Sequence, residues 1–144
     1  MSVQALWIED EPQSVRFESL VAEERGWHVE FAATVEEALV MSRDRCFNVI
    51  IADLILPRDA FEYRRGIVDP EAGIHMLEQI RGGRPGAATP SNVKILVVSA
   101  VISPELRCRV TSLLDTEEDY LEKHLYDREN CLRAVFDRAE TQIV

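Results

Sequence analysis

Lysine is nearly missing from this chain: of 16 basic residues only Lys94 and Lys123 are lysines, the rest arginines. Cysteine is sparse, and Cys46, Cys108 and Cys131 are odd in number, far apart and without a CxxC spacing. That pattern argues against a disulfide framework or a zinc site; the three read as small apolar side chains in a reducing cytoplasm. Long apolar runs are also missing. Val49-Ile50-Ile51-Ala52 stops at Asp53, and the run from Ile95 to Val98 stops at Ser99, whereas a membrane helix needs about 20 apolar residues. The first residues, Met1-Ser2-Val3-Gln4, offer neither a basic segment nor an apolar one, so no secretory signal is expected. Positive charge is in deficit, 16 basic against 26 acidic residues, for a net charge of −10. Such a surface repels phosphate backbones and anionic lipid, which argues against nucleic acid and membrane as partners.

What remains has the composition of one globular domain, 144 residues of which 47% are apolar, too ordered in character for global disorder and too short for two ordinary domains. There is no internal repeat. Short apolar runs alternate with longer segments of helical period. Val3 to Ile8, Trp27 to Ala32, Phe47 to Ala52, Val93 to Val98 and a short stretch near Tyr120-Leu121-Glu122 read as strands. Helices are expected after Pro12, after the capping box Thr34-Val35-Glu36-Glu37, from about Gly73 to Arg81, after Ser103-Pro104, and from about Asp127 to Glu140. Five β-α units in series predict an α/β fold, an open parallel sheet with helices on both faces. Two connections exceed the usual length, Arg58 to Ala72 and Gly82 to Asn92.

Open α/β sheets bind ligands beyond the carboxyl ends of their strands. Residues in that position here are Glu9, Asp10 and Glu11 after the first strand, Asp53 after the third, Ser99 after the fourth and Lys123 after the fifth. Crowded carboxylates raise one another's pKa unless a cation neutralises them. A hard divalent ion such as Mg²⁺ and the compact charge of Lys123 both serve that end. A carboxylate beside Mg²⁺ and a lysine is equipped to attack phosphorus and form an acyl phosphate, with Ser99 bonding a phosphoryl oxygen. Acids at strand ends also serve as solvated loop residues or helix caps; it is their joint occurrence at consecutive strand ends, with a lysine in an arginine-rich chain, that favours a site.

These residues resemble the receiver domain of two-component response regulators. Ile8-Glu9-Asp10-Glu11-Pro12 is similar to the family's acidic pair, Asp53-Leu54-Ile55-Leu56-Pro57 to the phosphoacceptor Asp with Pro four residues on, and Gly73 to the glycine before the third helix. Ser99-Ala100 is similar to the Ser/Thr and small-residue pair, and Asp119-Tyr120-Leu121-Glu122-Lys123 to the segment ending in the lysine. The resemblance spans nearly the whole chain. It implies a flavodoxin-like (βα)5 three-layer sandwich with sheet order 2-1-3-4-5. It also implies Mg²⁺-dependent phosphotransfer to Asp53 from a histidine kinase or phosphotransfer protein. The metal would be held by Glu9, Asp10, Asp53 and the backbone carbonyl of Ile55, with Lys123 and Ser99 as catalytic partners. Ser99 and Tyr120 would form the switch, although Tyr120 reads equally as a half-buried strand aromatic. Ile55 and Val101 would flank the path of a hydrolytic water; both are apolar, so slow autodephosphorylation is expected.

The sequence departs from the family at several points. Glu9 stands where Asp is usual, and His124 replaces the proline after the lysine, which implies a trans peptide there. Pro57 to Gly73 is sixteen steps where the family takes four. The inserted segment, 58–72, reads by default as a solvated mobile loop, and alternatively as a lid or docking element beside Asp53. Few residues follow the last helix, so the expectation is a single, stand-alone, cytoplasmic receiver domain over 1–144 that signals through contacts with an unidentified output protein and leaves room for a homodimer. Two rivals stand beside this reading. One is a pseudo-receiver, the same fold acting as a phosphorylation-independent interaction module. The other is an aspartyl-phosphate phosphohydrolase of the haloacid dehalogenase type, which is disfavoured because Ile55 occupies the place of its second Asp.

Overall fold

The computed structural model describes residues 2–100, 102–123 and 128–143, with residues 128–130 described in backbone only. Val101 and His124, both singled out from the sequence, lie outside the described residues. The elements run β1 (Gln4–Ile8), a 3₁₀ turn (Pro12–Val15), α1 (Arg16–Glu24), β2 (His28–Ala32), α2 (Val35–Asp44) and β3 (Val49–Ala52). There follow α3 (Ala60–Arg64), α4 (Ala72–Gly82), β4 (Lys94–Ser99), α5 (Pro104–Thr111), a 3₁₀ turn (Glu117–Asp119), β5 (Tyr120–Glu122) and α6 (Arg128–Ile143). All strand pairs are parallel, in the order β2-β1-β3-β4-β5. The parallel sheet is as expected from the alternation, and its order is the flavodoxin-like one that the resemblance implied.

Alternate residues of each strand face opposite sides of a sheet, and here both sides are apolar. Leu6, Ile8, Ile50, Ala52, Ile95 and Val97 pack with Ala38 of α2, Ile74 and Leu77 of α4, and Val110 of α5. Ala5, Trp7, Val49, Ile51, Leu96 and Val98 pack with Val21 and Ala22 of α1 and with Leu132, Val135 and Phe136 of α6. The three-layer sandwich follows, because a sheet apolar on both faces must be covered on both. Helix starts are set locally. Thr34 Oγ1 accepts from Glu37 N, and Ser103 Oγ accepts from Leu106 N ahead of Pro104.

Both long connections are folded against the body. In the stretch after α4, Thr89 Oγ1 donates to Arg45 O and accepts from Phe47 N, which ties it to the end of α2 and the start of β3. The segment 58–72, read by default as a solvated loop, instead contains α3. Asp59 caps α3 by accepting from Glu62 N, and Leu56 and Asp69 pair as an antiparallel bridge. A five-residue helix is too short to show a period in sequence. The three cysteines, read as small apolar side chains, are all exposed. Among the described residues no helix is long and apolar enough to cross a membrane.

Candidate functional site at the carboxyl edge of the sheet

Parallel strands point their carboxyl ends one way, so β1, β3, β4 and β5 deliver their following residues to one edge. Asp53, just past β3, is buried and held by four donors. Its Oδ1 accepts from Leu54 N at 2.7 Å, Ile55 N at 3.2 Å and Ser99 Oγ at 2.6 Å, and its Oδ2 accepts from Lys123 Nζ at 2.9 Å. Oδ1 is thus saturated, which fixes the carboxylate's orientation, while Oδ2 faces the lysine. Ser99 is fully buried, and its hydroxyl also accepts from Leu54 N at 3.2 Å. Lys123 reaches this place because its own N–H donates to Ser99 O at 2.7 Å as β5 leaves β4.

Glu9 is buried as well. Its Oε1 accepts from Lys123 Nζ at 2.5 Å and its Oε2 from Glu11 N at 3.1 Å. Burial pushes its carboxyl up to about 7; the neighbouring Asp53 charge adds to this and Lys123 opposes it. Burial disfavours the Lys123 ammonium, but the bonds to Glu9 and Asp53 outweigh that and raise its pKa. Asp10 is half-buried beside them, and ligand atoms of Glu9, Asp10 and Asp53 lie within 4.8 Å of one another. Three hard oxygen donors at that separation could hold a divalent cation. Gly73 holds the rim together. Its N–H donates to Leu54 O at 2.9 Å, and a Cβ there would stand 2.5 Å from Leu54 Cα. Only glycine lets α4 begin so close to the backbone that carries Asp53.

No family model matches the sequence, and no curated protein sequence matches it. Solved structures do. A CheY-like receiver domain protein of Methanospirillum hungatei superposes with a TM-score of 0.71 at 21% identity, over 99% of this chain and 97% of that one. The chemotaxis regulator CheY4 of Vibrio cholerae gives 0.70 at 19% identity, over 96% and 99%. The beryllofluoride-activated NtrC4 receiver domain dimer gives 0.70 at 20% identity, over 98% of each chain. The chain has the fold of a response regulator receiver domain.

Within this receiver fold, the edge of the sheet gathers Glu9, Asp10, Asp53, Ser99 and Lys123 as the strand assignment required. Ile55 lines the same cleft. Tyr120 is buried at the end of the site, its hydroxyl donating to Ala100 O at 2.9 Å and its ring stacked under the Arg107 guanidinium at 3.7 Å. Burial pushes its phenol up to about 12. The inserted segment forms the opposite wall, for Tyr63, Gly66, Ile67 and Val68 line the cleft with Asp53. Those four could be picked from the sequence only as members of a long insertion.

The second lysine of this receiver fold sits at the other end of the sheet. Lys94 is buried at the start of β4 and bonds Asp119 Oδ2 at 2.6 Å and Asp115 Oδ2 at 3.3 Å. Its scarcity signal is the same as that of Lys123, yet it marks a buried structural ion pair. His75 stands exposed near Glu78 and takes no part in the site.

Proposed function

We propose that this receiver fold is a phospho-accepting switch, taking a phosphoryl group on Asp53 from a histidine kinase or phosphotransfer protein and signalling through protein contacts. The observation that carries this reading is the position of Asp53 Oδ2, 2.9 Å from Lys123, with the other oxygen already saturated and Glu9 and Asp10 alongside. Oδ2 attacks phosphorus; a P–O bond to Asp53 forms as the donor's P–N bond breaks, and the electron pair leaves on the imidazole nitrogen. Lys123 stabilises charge on the incoming phosphoryl oxygens as a point cation. Ser99, now donating to Oδ1, turns its hydroxyl to a phosphoryl oxygen once the acyl phosphate has formed, and Tyr120 beside it completes the switch. The carboxylates of Glu9, Asp10 and Asp53 fit Mg²⁺, with the carbonyl of Ile55 proposed as a further ligand; when bound, the ion would neutralise charge on the phosphoryl oxygens.

The test is intact-mass spectrometry after incubation with acetyl phosphate. One phosphoryl group should be added in Mg²⁺, none in its absence, and none in Asp53→Asn. Equal labelling of that variant would move the acceptor elsewhere. No labelling at all in a folded protein would leave the phosphorylation-independent module.

A further inference from the structure

The insertion is tied down at both ends. Val35 N donates to Pro57 O and Glu36 N to Arg58 O, fastening its start to α2. Asp69 N donates to Leu56 O at 3.1 Å, fastening its end to the chain just past Asp53. Internally, Glu62 accepts from both the backbone N–H and the guanidinium of Arg58, and its carbonyl accepts from Ile67 N at 3.0 Å. Gly66, at a φ of +67°, turns the chain back. This is a strap with a fixed return leg, and that leg carries Ile67 and Val68 along the cleft that holds Asp53. The cleft measures about 370 Å³, near the lower end of the roughly 300–1,000 Å³ typical of small-ligand sites. Its floor is charged and its outer wall apolar.

In-line transfer to Asp53 requires the donor's leaving group to enter this cleft behind the phosphorus. We infer that Tyr63, Ile67 and Val68 are specificity-determining residues, setting the size of leaving group that can be carried to Asp53. On this inference a slim leaving group, a short acyl chain or an imidazole, is carried past the wall faster than a broad aromatic one. The assignment rests on the reading of Asp53 as phosphoacceptor. The three side chains are 44–48% exposed, so trimming them leaves the packed core untouched.

The test compares acetyl phosphate with benzoyl phosphate, donors of one chemistry and different leaving-group breadth, in Mg²⁺. Labelling rates are measured on the parent, on Val68→Ala and on Ile67→Ala/Val68→Ala, with circular dichroism as the check on folding. Intrinsic donor reactivity cancels when the acetyl-to-benzoyl rate ratio of a variant is divided by that of the parent. The double variant should lower the ratio at least fivefold, mainly by faster labelling from benzoyl phosphate, and Val68→Ala should fall between. An unchanged ratio with both donors active overturns the size filter and leaves the acceptor reading standing. No label from either donor on the folded parent removes the acceptor reading and the filter with it.

Discussion

Lys123 Nζ stands 2.5 Å from Glu9 Oε1, and the same ammonium reaches Asp53 Oδ2 at 2.9 Å. One compact cation therefore holds two buried carboxylates that would otherwise repel. A charge-assisted hydrogen bond is worth about 1.5–3 kcal/mol, and 1.4 kcal/mol is about tenfold in rate. Lys123→Met should slow acetyl-phosphate labelling of Asp53 by about 10- to 100-fold, read as the rate of mass gain at fixed Mg²⁺. Lys123→Arg should not restore the parent rate, because a larger planar guanidinium spreads its charge over a fork and cannot take the compact place of an ammonium between these two oxygens.

Gly73→Ala sets two physical effects against each other. Helix propensity alone favours alanine inside α4 by roughly 1 kcal/mol. The added Cβ would lie 2.5 Å from Leu54 Cα and 2.7 Å from Leu54 O, backbone atoms that cannot swing aside, and overpacking of this kind costs about 1–3 kcal/mol. The clash should win. Urea unfolding should show a net loss of stability and slower labelling of the neighbouring Asp53; a gain in stability would mean that α4 docks elsewhere.

At the far end of the sheet, Lys94 and Asp119 are both buried and 2.6 Å apart. Removing one partner of such a pair costs about 3–5 kcal/mol, whereas replacing both with apolar residues is often close to neutral. Lys94→Met should be strongly destabilising, and Lys94→Met/Asp119→Leu should recover part of the loss, offset by the contact of Arg138 with Asp119. Denaturant midpoints close the double-mutant cycle. Labelling of Asp53 should persist in any variant that folds, since this pair lies at the opposite end from the site.

The strap has its own pH dependence. The hydrogen bonds from Arg58 hold the Glu62 carboxyl down at about 2 against its ordinary 4.5. A depressed acid stabilises the folded form fully above its unfolded pKa and loses that contribution as pH falls through the folded value. Backbone NMR signals of residues 58–66 should therefore stay at their neutral-pH positions down to about pH 4.5, and move progressively as pH falls toward 2. In Glu62→Gln the acid-dependent step should vanish. An identical titration in that variant would assign the step to another carboxylate.

Much of this protein is decided by local pattern. The five apolar runs and the helical stretches between them specify a parallel sheet covered on both faces, because successive side chains point to opposite faces and the central runs are apolar without interruption. The candidate site is legible for the same reason. Parallel strands share one polarity, so Glu9, Asp10, Asp53, Ser99 and Lys123, each standing just past an apolar run, must collect at one edge. The tertiary structure alone decided the rest. The rarity of lysine points equally to Lys94 and Lys123; strand polarity separates them, but the buried partners of Lys94, Asp119 and Asp115, are known only from the packed structure. The insertion has no period to read, since α3 is a single short turn and its anchors, Leu56 with Asp69 and Pro57 with Val35, join segments by contacts that leave no local trace. Whether it hung free or walled the cleft depended on those non-local bonds, and they put Ile67 and Val68 in the wall of the cleft that holds Asp53.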